Sequence, residues 1–206
     1  MKPVPVSVVK VGGSLFDLPD LPAALDRWLT RQPGAVYVLV GGGGPFAEQV
    51  RRDAGRFAIS PEAAHWICVD LLTATARLLA EILPSAEWVR DYDRLLLTLS
   101  GSEMKCVVFA VRDFLERVEP GLPGAVLPHA WSVTSDSIAA RLADALGAQE
   151  LVLLKSIDAP ARVDAASAAA AGLVDDFFPT AAKTLPAVRW VNLRDAAATE
   201  TNLSVG

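Results

Sequence analysis

Two apolar runs that each end in glycines constrain the fold of this chain most. The first run, 6–9, is rich in valine and leads into a lysine and two glycines within 10–13. The second run, 35–40, ends in four successive glycines at 41–44. Runs of this kind are typical of buried strands that open into tight turns. Glycine costs roughly 0.5–1 kcal/mol against alanine in regular structure, so four glycines predict that something lies close against this backbone.

Both glycine loops carry groups that suit an anion. Main-chain N–H groups in such a loop can face a phosphate with no Cβ in the way. Lys10 adds a positive charge, and the Ser14 hydroxyl can donate a hydrogen bond or cap the next helix. If both strands belong to one parallel sheet, their carboxyl ends share the edge where open α/β folds bind ligands. The loops therefore predict two anionic ligands, a nucleotide and the group that accepts its phosphate; for 10–14 alone, an ordinary strand-to-helix turn is the alternative.

The order of elements predicts an α/β fold. Strand and helix patterns alternate along the 206 residues, which favours a three-layer αβα sandwich around a mostly parallel sheet. We expect a single domain, with an acceptor and phosphate-loop half at 1–130 and a shortened nucleotide-binding half at 131–206. The helix predicted at 63–83 is apolar on more than one stripe, which indicates a central helix or a subunit interface.

Composition excludes several classes of function. The net charge of −5, without a cluster of basic residues, argues against nucleic acid as the principal ligand. No apolar stretch of membrane-spanning length is free of charged residues, and the N-terminus lacks the pattern of a signal peptide. We therefore expect a cytoplasmic protein that does not contact a membrane. Cys68 and Cys106 lack the spacing of metal ligands, and no metal site built by the protein alone is predicted.

Four segments, taken in order, resemble the amino acid kinase family. They are 9–15, 38–43, 134–140 and 151–158, so the resemblance spans residues 6–160. The family includes acetylglutamate, aspartate, uridylate, carbamate and isopentenyl phosphate kinases. Membership would imply phosphoryl transfer from ATP, with Mg²⁺ held mostly by the nucleotide phosphates. Segment 134–140 is most similar to that of a short kinase assigned to methanofuran biosynthesis, which phosphorylates an aminomethyl-furanyl-methyl phosphate.

The same resemblance implies a set of site residues. The expected catalytic residues are Lys10, Asp136 and Lys155. In this set Asp136 orients lysines around the transferring phosphoryl group, whereas its alternative role is that of an ordinary carboxylate at a helix start. The residues expected to bind ATP are Gly12, Gly13, Ser14, Ser156 and Asp158. Those expected to bind the acceptor are Gly42, Gly43 and Gly44.

Two segments depart from the family pattern. At 155–159 the chain has Lys-Ser-Ile-Asp-Ala where relatives carry Thr-Asp-x-Asp-Gly, so only Asp158 and the apolar residue before it are kept. After residue 160 the family's Gly-Gly-Met-x-x-Lys-like stretch is missing, and Lys183 is the candidate substitute for its lysine. These departures leave open whether Lys155 reaches the phosphates or is a solvated lysine at a strand end.

The sequence thus predicts an ATP-dependent kinase that converts a small phosphate monoester into a diphosphate, as a homodimer or larger homo-oligomer. A phosphate acceptor needs no strong general base, because its oxygen is already anionic. One alternative is a kinase that acts on a carboxylate and produces an acyl phosphate. The other is a nucleotide-binding or regulatory subunit that has lost activity through its altered C-terminal half.

Overall fold

A computed structural model describes residues 4–101, 106–160 and 163–205 of the chain. Within them, seven strands form one sheet: β1 (Val6–Val11), β2 (Val36–Gly41), β3 (Glu87–Val89), β4 (Cys106–Phe109), β5 (Glu150–Lys155), β6 (Val188–Asn192) and β7 (Glu200–Asn202). The strand order is β3-β4-β2-β1-β5-β6-β7, and every neighbouring pair is parallel except β6 and β7. The predicted mostly parallel sheet is confirmed.

Helices connect the parallel strands, as crossovers in such a sheet require. They are α1 (Leu21–Arg31), α2 (Gly44–Phe57), α3 (Pro61–Ile82), α4 (Tyr92–Ser100), α5 (Ser135–Ala145), α6 (Ala165–Ala170) and α7 (Phe178–Ala181). Local sequence explains where α3 begins. The Ser60 hydroxyl accepts the N–H of Ala63 at 3.2 Å, and Pro61 occupies the first helical position, where its missing N–H costs nothing.

Successive residues of the central strands face opposite helical layers. Val8 of β1 belongs to the core cluster that includes α5, whereas Val9 belongs to the cluster that includes α1. Each face of the sheet thus packs against a layer of buried apolar side chains, so the sheet is covered on both faces. The predicted three-layer αβα sandwich is therefore confirmed.

The register of the sheet determines which face the strand-end lysines share. Lys10 in β1 pairs with Leu153 of β5, and Lys155 lies two residues further along β5. Because side chains alternate along a strand, Lys10 and Lys155 point to the same face, which α5 covers. The carboxyl edge of the sheet thus holds two cations beside the start of α5.

The helix α3 is a central element of the fold. Among the described helices, it is the one that is long and apolar enough to cross a membrane by length and composition alone. However, Val69 and Leu72 pack into one core cluster, and Ala76 and Leu79 pack into the other. These buried contacts make α3 a core helix of the sandwich, as the central-helix interpretation of 63–83 predicted.

Candidate active site

A cleft of about 980 Å³ opens at the carboxyl ends of β1, β2 and β5. The first turns of α2 and α5 form parts of its wall, and Lys10, Asp136 and Lys155 line it. Unpaired N–H groups and the helix dipole make the N-terminus of a helix favourable for anions. The cleft therefore combines two helix N-termini with two lysines, at the sheet edge where the sequence predicted that both glycine loops meet.

The two glycine loops pack directly on each other. Gly42 N donates a hydrogen bond to Val11 O at 2.9 Å. A Cβ on Gly13 would lie 2.1 Å from Gly44 N, and Gly44 itself has φ of +57°, in the left-handed region. What lies against this glycine backbone is thus, in the first place, the other loop, and side chains here would force the loops apart.

Lys10, Asp136 and Lys155 form a charged triple on the cleft floor. Lys10 Nζ lies 2.9 Å from Asp136 Oδ1, in an ion pair without hydrogen-bond alignment. Lys155 Nζ donates a hydrogen bond to Asp136 Oδ2, also at 2.9 Å. The side chains of Lys10 and Asp136 are each 7% exposed, and that of Lys155 is 12% exposed. Two ammonium groups around one carboxylate leave an excess positive charge that an anionic ligand can neutralise.

Burial and charge shift the pKa values of this triple. Burial would raise the pKa of Asp136, but the ammonium groups of Lys10 and Lys155 outweigh it and hold that pKa below its usual value. Burial lowers the pKa of Lys155 to about 8, with Asp136 opposing this shift and Lys10 adding to it. Lys155 is therefore mostly protonated near pH 7 and loses its proton in mildly alkaline solution.

A backbone carbonyl and an indole ring complete the surroundings of Lys155. Its Nζ donates a second hydrogen bond to Leu173 O at 2.8 Å and lies 5.1 Å from the centroid of the Trp190 ring. Two acceptors and an aromatic face hold the ammonium group in one place. Lys155 is thus not a solvated lysine at a strand end.

Asp175 is a cleft residue that the sequence did not reveal. Its Oδ2 accepts hydrogen bonds from Thr134 N at 2.9 Å, from Thr134 Oγ1 at 2.8 Å and from Ser137 N at 3.0 Å. Its Oδ1 accepts the hydroxyl of Ser137. Asp175 thereby caps the first turn of α5, which carries Asp136. Burial and the charge of Asp136 raise the pKa of Asp175, whereas the hydrogen bonds from Ser137 and Thr134 act against the shift.

The remaining predicted site residues fall into two groups. Those that line the cleft are Gly13, Ser14, Gly43 and Gly44. Those that do not line it are Gly12, Gly42, Ser156 and Asp158. Their binding roles stay predictions. Lys183, the candidate for a second catalytic cation, is exposed after α7 and lies outside the wall, whereas Lys155 occupies the place beside Asp136.

The predicted site residues that do not line the cleft fasten its loops to the sheet. Gly12 N donates to Leu154 O at 2.8 Å, which fastens the first glycine loop to β5. The hydroxyls of Ser14 and Ser156 share a hydrogen bond of 2.9 Å. The segment after β5 is fastened in turn to β6, because Asp158 accepts the side-chain amide of Asn192 at 2.9 Å.

The outer part of the cleft, between α2 and the segment before α5, combines cationic and aromatic side chains. Arg51 and Arg52 line it from α2, and the guanidinium carbon of Arg51 lies 4.9 Å from the centroid of the Trp131 ring. Glu48 adds one carboxylate. His65 contributes no charge, because burial, assisted by His129, lowers its pKa to about 4. This end of the cleft can therefore bind an anionic group next to a flat ring.

The described residues offer no protein cage for a metal ion. Across 4–101, 106–160 and 163–205, no group of three or more His, Cys, Asp or Glu side chains is placed to hold one. The oxygens of Asp136 face lysines, and those of Asp175 accept hydrogen bonds from Thr134 and Ser137. An Mg²⁺ ion in this cleft would have to be held mostly by the phosphate oxygens of a nucleotide, which matches its usual chemistry.

Comparisons with known proteins identify relatives of this chain. The model of the family described as "Amino acid kinase family" matches residues 5–159. A [5-(aminomethyl)furan-3-yl]methyl phosphate kinase from Methanocaldococcus jannaschii is 26% identical over 153 residues, which are 73% of this chain and 66% of that kinase. The chain therefore spans slightly less than two thirds of the length of this relative.

Solved structures of three kinases share the fold. UMP kinase from Bacillus anthracis gives a TM-score of 0.64 at 12% identity, and the match covers 95% of this chain and 90% of the kinase. UMP kinase from Ureaplasma parvum gives a TM-score of 0.64 at 11% identity, and the match covers 98% of this chain and 99% of the kinase. Aspartate kinase from Synechocystis gives a TM-score of 0.63 at 20% identity, and the match covers 96% of this chain and 40% of the kinase. At these identities the likeness is one of fold.

Proposed function

Because the chain belongs to the amino acid kinase family, we propose that it is a kinase that transfers the γ-phosphoryl group of ATP to a small phosphate monoester. The observation that carries this proposal is the buried triple of Lys10, Asp136 and Lys155 on the cleft floor. Phosphoryl transfer depends mainly on positioning and on stabilising negative charge. A fixed pair of ammonium groups supplies both, and a nucleotide-binding module would not need them at this position.

In the proposed reaction, an oxygen of the acceptor phosphate attacks the γ-phosphorus of ATP. A new P–O bond forms, and the bond from the γ-phosphorus to the bridging β–γ oxygen breaks, so that ADP leaves with that electron pair. Lys10 and Lys155 neutralise charge on the transferring group. Asp136 holds both ammonium groups in place and helps to keep Lys155 protonated. The acceptor oxygen is already anionic, so no side chain has to remove a proton. When bound, Mg²⁺ would neutralise the charge of the nucleotide phosphates.

Two observations support a phosphate monoester as the acceptor. The relative from Methanocaldococcus jannaschii is named for an acceptor of this class, a furan with a phosphate ester. The outer cleft of this chain offers Arg51 and Arg52 for a phosphate and the Trp131 ring for a flat group. In this proposal the acceptor occupies the side of α2 within 1–130, and ATP occupies the side of β5 and β6 within 131–206. A role in the synthesis of a methanofuran-type cofactor belongs to the same proposal.

Activity with a panel of acceptors tests this function. Purified protein with ATP and Mg²⁺ is offered phosphate monoesters, including [5-(aminomethyl)furan-3-yl]methyl phosphate, and carboxylates such as aspartate. Release of ADP, together with ³¹P NMR signals of a second diphosphate that are distinct from those of ADP, would support the proposal. Trapping of the product by hydroxylamine would instead indicate an acyl phosphate. Nucleotide binding without transfer to any acceptor would favour a regulatory subunit.

Lys10→Ala provides the matching variant. Removal of one preorganised positive group typically costs about 10²–10³ in rate, so we expect turnover to fall by this factor. Lys183→Ala is the control, because Lys183 is an exposed lysine that does not line the cleft. Wild-type turnover in Lys10→Ala would refute the assignment of the triple.

We also propose that the kinase acts in the cytoplasm as a homodimer that pairs through α3. Ile67 and Leu78 of this helix are 40% and 50% exposed, so their apolar side chains are accessible to a second copy of the chain. Leu78→Glu should convert the dimer into a monomer in sedimentation experiments. A monomeric wild type would refute this pairing.

A further inference from the structure

We infer that Asp175 is a positioning residue for phosphoryl transfer. It lies in the turn at 172–176 and holds the first turn of α5. Together with Leu173 of the same turn, it fixes the triple of Lys10, Asp136 and Lys155 in place. This inference rests on the proposed function. The turn lies beyond residues 5–159, the part of the chain that the family model matches.

The first step of the argument is the capping of α5. The N-cap residue Thr134 makes no side-chain cap to its own helix, and its hydroxyl donates to Asp175. Asp175 accepts the N–H of Ser137 in its place, as an N-cap carboxylate would. The carboxylate thus fixes the residues on both sides of Asp136. A shift of this turn would move Asp136 away from both lysines.

The second step is that the same turn also holds Lys155. Leu173 O accepts a hydrogen bond from Lys155 Nζ at 2.8 Å, two residues before Asp175. One short turn therefore contacts two members of the triple, Asp136 through its helix and Lys155 directly. Because misplacement of reacting groups by about 1 Å can cost 10²-fold in rate, loss of this contact should affect turnover strongly.

Electrostatics distinguishes a positioning role from simple helix capping. Three charged groups face Lys155 from the surrounding elements: Lys10 of β1, Asp136 of α5 and Asp175 of the turn. The Asp175 carboxylate acts to raise the pKa of Lys155, and so helps to keep it protonated. Removal of the Asp175 charge should therefore lower the pKa of Lys155 further, an effect that loss of a helix cap with no contact to the triple would not produce.

Asp175→Asn tests this inference, with Asp164→Asn as the matched control. Asp164 is an exposed carboxylate that caps α6 by accepting Ser167 N at 2.7 Å, and it does not line the cleft. We expect Asp175→Asn to lower kcat by about 10²-fold while KM changes by less than about threefold. The alkaline limb of the pH profile of kcat should move to lower pH. Asp164→Asn should leave kcat and this limb unchanged.

Lysine side-chain NMR gives a readout that does not depend on activity. The chain has five lysines, and Lys155→Arg assigns the signal of Lys155. The ¹³Cε titration of this signal should give a lower pKa in Asp175→Asn than in the wild type, and an unchanged pKa in Asp164→Asn. If the wild type transfers no phosphate but the pKa still falls, the proposed function is wrong while the coupling of Asp175 to Lys155 stands.

A milder variant keeps the inference testable if Asp175→Asn does not fold. Thr134→Val removes the hydroxyl donor to Asp175 and keeps the backbone N–H and the shape of the side chain. We expect a severalfold loss of kcat with unchanged KM. Normal kcat in a folded Asp175→Asn variant, or in Thr134→Val, would overturn the positioning role, as would an unmoved pKa of Lys155 in folded Asp175→Asn.

Discussion

The substitution Asp136→Asn tests the electrostatics of the cleft floor most directly. Asparagine keeps the size of the side chain and one carbonyl oxygen, but it removes the negative charge between Lys10 and Lys155, each 2.9 Å away. Two buried ammonium groups would then face each other without the carboxylate between them, and Asp175 would be the acidic group left to face Lys155. We expect lower stability and a larger loss of turnover than of ATP affinity, because the charge arrangement matters most for the transferring phosphate.

The size of the stability loss follows from the burial of the triple. At an effective dielectric constant of about 20, opposite unit charges near 3 Å attract by roughly 5–6 kcal/mol, and desolvation cancels much of this. Removal of one partner from a buried ion pair typically costs about 3–5 kcal/mol. Lys155 can relieve the repulsion by losing its proton, because its pKa is already about 8. We therefore expect a loss of about 3 kcal/mol in the free energy of unfolding near pH 7.

The pH dependence of this loss has a definite sign. The pKa of Lys155 is about 8 in the folded protein, and it is about 10.4 in an unfolded chain. Between these values the unfolded chain binds more protons, so this group makes the free energy of unfolding rise with pH. Without Asp136, the pKa of Lys155 in the folded protein falls further, so the free energy of unfolding begins to rise at a lower pH. The stability difference between wild type and Asp136→Asn should therefore be largest near pH 6 and shrink as the pH approaches 8.

Urea unfolding followed by tryptophan fluorescence at several pH values measures this difference, and Asp164→Asn controls for loss of an exposed carboxylate. A stability difference that stays the same from about pH 6 to 8 would refute the electrostatic reasoning. Turnover should fall by about 10³-fold. Equal turnover of wild type and Asp136→Asn would remove this residue from the catalytic set.

Two further substitutions test the wall of the cleft. Gly13→Ala places a Cβ 2.1 Å from Gly44 N, and should lower the free energy of unfolding by at least about 3 kcal/mol in thermal unfolding. Gly34→Ala is its control, because no atom lies within 4 Å of the new Cβ, and its free energy of unfolding should stay within about 0.5 kcal/mol of wild type. Equal effects of the two substitutions would contradict the packing of the loops. Arg51→Ala should raise KM for the acceptor at least tenfold, by about 1.4 kcal/mol of lost binding, and leave KM for ATP unchanged. Arg56→Ala is the control, because Arg56 lies on the same helix but does not line the cleft. A rise in KM for ATP alone in Arg51→Ala would contradict the placement of the acceptor beside α2.

Local signals explain which parts of the fold could be predicted. β1 and β2 carry β-branched runs that end in glycines, so their existence follows from the sequence. Their common edge is predicted only on the condition that both strands belong to one parallel sheet. The start of α5 at Ser135 depends on a distant residue. Asp175, 38 residues away from Ser137, supplies the cap for its first turn. No local pattern marks a cap that comes from so distant a segment.

The assembly of the triple depends on strand pairing, which the motifs alone do not determine. Lys10 pairs with Leu153, and this register brings Lys155 to the same face two residues later. A register shift of one residue would turn one lysine toward α1 and leave Asp136 with a single partner. The sequence suggested Lys155 and Lys183 as cations without a means to choose, whereas the sheet favours Lys155. In the proposed function, β5 therefore provides the second cation that the family pattern places after residue 160, and the turn at 172–176 contributes by holding this lysine in place.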